Sequence, residues 1–338
     1  MISKKQNLKI ATILPYKENY SFEKASAASL WVAEFFKNSI FKKNNFIYGN
    51  TTSKNYLTKN YLNINLKTLK SKFKSSTNEY SGKLINEINS KKFDLVEIHN
   101  RPLILFNLIK KTESKFIFYF HNDPLSMKGS KKISERLFIL KNVEKIVFVS
   151  EWVRERFFFE LDKKLTTKTE VIYPSVNKQK ATKKYEFITF VGRLNYSKGY
   201  DIFKNAIIKI LDKFPTWTAY SVGDEDRRNI YINHKLHNEL GFLNHKKTLN
   251  LLNKSEISIV PSRWEEPFGR TALEASSCGC ATVISNRGGL TEVIMAADRL
   301  TQANRDTLYE GRVNPIATFP GEGVVVWGQK TLQKKLYK

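Results

Sequence analysis

The sequence predicts an α/β protein made of two doubly wound, Rossmann-like domains, and three observations carry the prediction. Short apolar runs alternate with amphipathic segments from Leu8 to Tyr173, as parallel strands joined by helices do. The alternation restarts at Phe187, after a polar, lysine-rich stretch over 174–185 that reads as a linker. Residues 257–294 then hold strand, loop, helix, strand, loop, helix, which is half of a doubly wound domain. A chain of 338 residues has room for both domains.

The elements follow in order. Leu8 to Leu14 is the first strand, ended by Pro15-Tyr16, and Ser21 is the expected N-cap of a helix running to Phe36. Residues 50–80 are rich in Lys and Asn with scattered Tyr and Leu; a membrane-facing amphipathic segment and an ordinary strand plus exposed helix both fit. Lys83 to Asn89 reads as a helix and Phe93 to Ile98 as a strand closed by His99-Asn100-Arg101-Pro102. A helix over 103–110, a strand over 115–120 ending in His121-Asn122-Asp123-Pro124, and a helix over 132–140 follow. The strand 145–149, a helix capped by Ser150-Glu151 and a last short strand at Val171 complete the first domain. In the second half, Phe187 to Val191 is a strand, Tyr200 to Lys213 a helix, Trp217 to Val222 a strand and His245 to Asn253 a helix. Leu240 to Leu243 reads as a short strand and loop. The expected domains are 1–173 and 186–294, with 174–185 as the linker and 295–338 as a tail.

Composition narrows the function classes. The hydrophobic share of 41% suits a globular protein, and no apolar run approaches the ~20 residues a membrane-spanning helix needs. No cleavable leader is evident, so a cytoplasmic location is expected, peripheral on the inner face of the cytoplasmic membrane. Cys278 and Cys280 flank one glycine, which suits neither a disulfide nor a metal set. The formal charge of +25 raises three readings: nucleic acid, an anionic lipid surface, or base composition alone. No nucleic-acid motif accompanies the lysines, so no nucleic-acid partner is expected.

The chemistry-bearing residues sit at strand ends. Gly192-Arg193 closes a strand and Lys198-Gly199 precedes a helix, placing two cations beside free helix amides, a setting for a diphosphate. Glu266 lies in the loop after strand 257–260, and Glu274 lies about one turn into the next helix, seven residues between them. In open α/β sheets that loop edge binds ligands, and carboxylates there suit sugar hydroxyls. Asp224-Glu225-Asp226 ends another strand and offers a rival, metal-binding reading.

Together, Gly192-Arg193 with Lys198-Gly199, and Pro261-Ser262 with Glu266, Phe268-Gly269, Glu274-Ala275 and Gly279, resemble the signatures of retaining GT-B glycosyltransferases of family 4. The resemblance covers about 8–294 and is specific over 187–294. It implies two Rossmann-like domains facing a cleft, a nucleotide-sugar donor, a lipid-linked or glycan acceptor, and no metal or other cofactor. It implies that Arg193 and Lys198 bind the diphosphate and offset leaving-group charge. Glu266 would contact the donor sugar and Glu274 the ribose, with Phe268 and Gly269 also in the donor site. His121 would stand near the reacting carbon, with His99 the second candidate. The family's glycine-rich loop after the first strand is missing, since no glycine precedes Gly49. After Ile294 the family pattern stops, leaving the second domain incomplete, and residues 299–332 resemble the C-terminal part of a phage contractile-tail sheath protein. A helix over 297–310 and a strand over 324–327 are expected there, loosely packed. Two rivals stand beside the leading reading: an assembly protein acting through the tail, and a metal-dependent GT-A-type transferase using Asp224-Glu225-Asp226.

Overall fold

The computed structural model describes residues 8–66, 75–162, 167–177, 179, 182–225 and 229–293, with the backbone of 317–318 and 324–327. Asp226, Ile294 and the helix expected over 297–310 lie outside the described residues. The chain divides into two compact units, Met1–Pro174 and Ser175–Lys338.

Unit 1 is a seven-stranded, all-parallel sheet in the order β3-β2-β1-β4-β5-β6-β7. Its strands are β1 (Ile10–Ile13), β2 (Asn45–Gly49), β3 (Tyr61–Asn63), β4 (Leu95–His99), β5 (Lys115–Phe120), β6 (Lys145–Phe148) and β7 (Thr169–Val171). Helices α1 (Ala27–Asn38), α2 (Ser76–Lys91), α3 (Pro102–Ile109), α4 (Ile133–Asn142) and α5 (Glu151–Phe158) connect them. The order reverses between β1 and β4, which opens a crevice at the carboxyl ends of those strands. The core under α1 joins Trp31, Val32 and Phe36 to Leu14, Ile47, Tyr119 and Val147.

Three expectations change here. Ser26, not Ser21, caps α1 by accepting from the Ser29 amide. Ser21 instead forms an isolated antiparallel bridge with Tyr56. Asn45–Gly49 is a strand where none was expected, and the helix expected over 83–89 begins at Ser76; with the strand Tyr61–Asn63, the strand-plus-helix reading of 50–80 is the one observed among the described residues.

Unit 2 repeats the plan with β8 (Tyr185–Val191), α6 (Tyr200–Lys213), β9 (Thr218–Val222), β10 (His237–Glu239) and α7 (His245–Lys254). It continues with β11 (Ser255–Val260), α8 (Arg270–Ser277), β12 (Ala281–Ser285), β13 (Ala317–Thr318) and β14 (Val324–Trp327). The sheet order is β10-β9-β8-β11-β12-β14-β13, parallel as far as β12. The reversal falls between β8 and β11. In α6, Tyr200, Phe203, Ile207 and Leu211 are buried, the spacing of a helix laying one stripe on a sheet. The short strand expected at 240–243 lies earlier, at His237–Glu239. The tail strand expected over 324–327 is present and its backbone pairs antiparallel with β12 from Ser285 to Thr282.

Candidate functional site

Three loops at the carboxyl ends of β8, β11 and β12 meet in unit 2. The loop after β8 is shaped by Asn195, whose Oδ1 accepts from the Lys198 amide at 3.1 Å and caps a 3-10 turn over Tyr196–Lys198. The turn ends at Gly199 with φ 71, and a Cβ there would stand 1.8 Å from the Pro261 carbonyl oxygen. Only glycine permits both the left-handed backbone and this approach. The Ser197 carbonyl then accepts from the amides of Arg263 (3.0 Å) and Trp264 (2.9 Å), locking the β8 and β11 loops together. From the other side, the Gly289 amide donates to the Glu266 carbonyl at 2.7 Å. Gly288 sits with φ 55 where a Cβ would lie 2.4 Å from that same oxygen.

These constraints bring Lys198 and Glu266 together: Nζ lies 2.6 Å from Oε1. Ser262 Oγ donates to the same carboxylate oxygen at 2.9 Å. Arg193 is exposed on the β8 loop and makes no ion pair among the described residues. Phe268 is buried, and Gly269 (φ 103) is the N-cap of α8 with no side-chain cap, so the helix start offers backbone amides.

Glu274 is buried in the second turn of α8. Its Oε1 accepts from Arg270 Nε at 2.7 Å and His245 Nε2 at 2.9 Å. Burial alone pushes this carboxyl up, but the His245 hydrogen bond and the Arg270 charge outweigh it and hold it below the usual carboxylate range. Neither partner was singled out from the sequence. Arg270 had a signal, the i,i+4 spacing to Glu274 on one helix face. His245 had none, because α7 and α8 are brought together only by the fold.

Glu225, at the rival metal triplet, accepts from Asn195 Nδ2 at 2.9 Å and so supports the β8 loop. Among the described residues no three His, Cys, Asp or Glu side chains converge as a metal set. In unit 1, His121 follows β5 and its amide donates to Asn100 Oδ1 at 2.7 Å. His99, at the end of β4, is its immediate neighbour, Nδ1 lying 2.7 Å from His121 Nε2.

Two sheets of this order, each with its crevice at the carboxyl ends of parallel strands, define the GT-B fold of glycosyltransferases. Residues 174–313, which fall almost wholly in unit 2, match the family described as glycosyl transferases group 1. The match runs on past Ile294, into the stretch expected to be foreign tail. The chain is 26% identical over 250 residues to YtcC of Bacillus subtilis, covering 64% of this chain and 61% of that protein. It is 28% identical over 246 residues to spore coat protein SA of the same organism, covering 62% and 64%. The chain thus spans less than two thirds of either relative. Among solved structures, Anabaena HepE in complex with UDP and glucose superposes with a TM-score of 0.63 at 16% identity, over 89% of this chain and 90% of that one.

Proposed function

We propose that this chain is a retaining, family-4-like glycosyltransferase that moves a hexose from a nucleotide sugar to a lipid-linked or polysaccharide acceptor without a metal. What supports the reading is the Lys198–Glu266 pair, held at 2.6 Å where the loops of three parallel strands meet. A cation there stabilises the diphosphate as the anomeric carbon–oxygen bond breaks, work a metal does elsewhere. Exposed Arg193 adds a second cation. Glu266 orients the Lys198 ammonium and offers its remaining oxygen to a sugar hydroxyl. Glu274, charged and fixed by Arg270 and His245, is arranged to accept from a ribose hydroxyl. The acceptor oxygen then bonds the anomeric carbon on the face the diphosphate leaves, and its proton passes to a phosphate oxygen.

The lysines of unit 1 support an acceptor presented at a membrane surface. Phe36 and Leu57 floor a groove in unit 1 rimmed by Lys37, Lys42, Lys43 and Lys59. Among the described residues no helix is long and apolar enough to cross a bilayer. A peripheral position on the inner face of the cytoplasmic membrane fits these lysines.

The test is transfer or hydrolysis of UDP-, GDP- and ADP-hexoses. Lys198→Ala should lower turnover by roughly a hundredfold or more. Added EDTA should leave the wild type active. Activity abolished by EDTA and restored by manganese would overturn the metal-free reading.

A further inference from the structure

His99 and His121 share one hydrogen bond, and its direction decides what His121 presents to a ligand. The ring centroids lie 5.0 Å apart with planes 24° apart. With the nitrogens at 2.7 Å, that spacing is an edge-to-edge contact of nearly coplanar rings, the geometry of a real N–H···N bond. Burial pushes His121 down to about 3 and His99 well below the usual range, so both rings are neutral and a single proton lies between them.

The other nitrogen of His99 settles which ring donates. His99 is 1% exposed, and its Nε2 is buried with no hydrogen-bond partner among the described residues. It is walled in by Tyr119, stacked on it at 4.4 Å, and by Trp31 at 5.8 Å. The Tyr119 hydroxyl is committed elsewhere, to Glu97 at 3.0 Å. Were His121 the donor, the proton of His99 would sit on Nε2, a buried N–H with no acceptor. Were His99 the donor, Nε2 would be a bare lone pair in an aromatic wall. Orphaned buried N–H groups are the rarer of the two, so the second arrangement is preferred.

We propose that His99 is a positioning residue for His121. It donates from Nδ1 to His121 Nε2 and fixes His121 in the Nδ1–H tautomer, so the ring edge away from His99 is a hydrogen-bond donor and not a base. The ligand it suits is an oxygen acceptor, such as a sugar hydroxyl or a phosphate oxygen. Its functional half rests on the reading of His121 as a site residue; the tautomer does not. Trp31, edge-on to His121 at 5.2 Å, and the Asn100 side chain on the His121 amide keep the ring from turning away.

The tautomer is read directly by long-range nitrogen–proton NMR on histidine-labelled full-length protein, which has five histidines, with His121→Asn assigning the signal. The expected wild-type spectrum shows His121 protonated at Nδ1 and bare at Nε2. His99→Asn, whose amide N–H stands near the place of Nδ1, should keep that signature and most of the turnover. His99→Phe, which suits the aromatic wall but cannot donate, should shift His121 toward the Nε2–H form. Turnover should then fall roughly tenfold, the value of one hydrogen bond. A wild-type His121 protonated at Nε2 overturns the proposal, even where the Phe variant fails to fold. So does a tautomer unchanged in folded His99→Phe. Full transfer in His121→Ala, with the tautomer as expected, instead overturns the functional reading of His121.

Discussion

Glu97 carries a carboxyl into the middle of the unit 1 sheet, where it is 8% exposed. Tyr119 donates to its Oε1 at 3.0 Å, and Thr12 Oγ1 lies 2.7 Å from its Oε2. Thr12 Oγ1 also lies 3.0 Å from Asn45 Oδ1. One hydroxyl proton cannot serve both oxygens. Two arrangements resolve this: Glu97 protonated and donating to Thr12, which then donates to Asn45, or the Asn45 amide turned so that its NH2 donates to Thr12. Burial pushes the carboxyl up, outweighing the lowering effect of its contacts with Thr12 and Tyr119, and so favours the protonated arrangement. The sign follows: with the folded pKa above the unfolded one, the stabilisation is complete below the unfolded value and is lost as pH rises through the folded value. Glu97→Gln keeps the shape and the hydrogen bonds without a charge to bury. It should unfold at a higher temperature than the wild type at about pH 8 and match it at about pH 4. A variant equally destabilised at both values would show that Glu97 is ionised and structural. Little of this was legible beforehand. Glu97 lay inside an apolar strand with nothing to mark its neighbours, because Thr12 and Tyr119 come from strands far away in sequence. Glu266, Lys198 and Gly199 were legible because a loop spacing and a glycine requirement are local.

Elements show the same division. Strands β4, β5, β11 and β12 and helix α6 announce themselves through apolar runs or a helical stripe. Strand β10, with the sequence His-Asn-Glu, is a polar sheet edge, and its strand character comes wholly from pairing with β9. Lys184 was read as part of a polar linker, yet its ammonium joins three elements. Nζ donates to the carbonyls of Leu252 (3.1 Å), Ser255 (2.8 Å) and Cys278 (2.6 Å), the ends of α7 and α8 and the start of β11. Helix ends leave carbonyls without partners and carry partial negative charge, so one cation satisfies two helices. Burial lowers the Lys184 pKa, outweighing the nearby thiols and Glu256. The same burial pushes the Cys278 and Cys280 thiols up to about 11 and about 12, leaving them unreactive. Lys184→Met should destabilise unit 2 by about 1–3 kcal/mol, the cost of leaving buried acceptors unsatisfied. Hydrogen exchange should rise at the last turns of α7 and α8. Unchanged stability would mean that water takes the place of the ammonium.

For the whole molecule, charge is the property that sequence states most plainly and locates least well. A formal +25 says nothing about where the lysines gather. In unit 1, Lys37, Lys42, Lys43 and Lys59 gather around one groove, all of them exposed, and Ile40 stands among them 81% exposed. Phe35 is also exposed on the last turns of α1. Lysines around protruding apolar side chains suit a surface that is anionic outside and apolar beneath, which a lipid bilayer is and a nucleic acid is not. Each lysine near such a surface contributes about 1 kcal/mol, so Lys37→Glu, Lys42→Glu and Lys43→Glu together should weaken binding to phosphatidylglycerol vesicles by roughly a hundredfold or more. Ile40→Glu alone should weaken it without changing the salt dependence much, since it removes insertion and not a basic contact. Phosphatidylcholine vesicles should bind neither protein. Turnover on a soluble acceptor should survive the triple change, because these lysines belong to α1 and the β2 approach of unit 1, while the Lys198–Glu266 pair is built within unit 2. Equal binding of wild type and triple variant to phosphatidylglycerol would sink the membrane assignment. Tight, salt-sensitive binding to single-stranded DNA in place of vesicles would return the charge to the nucleic-acid reading.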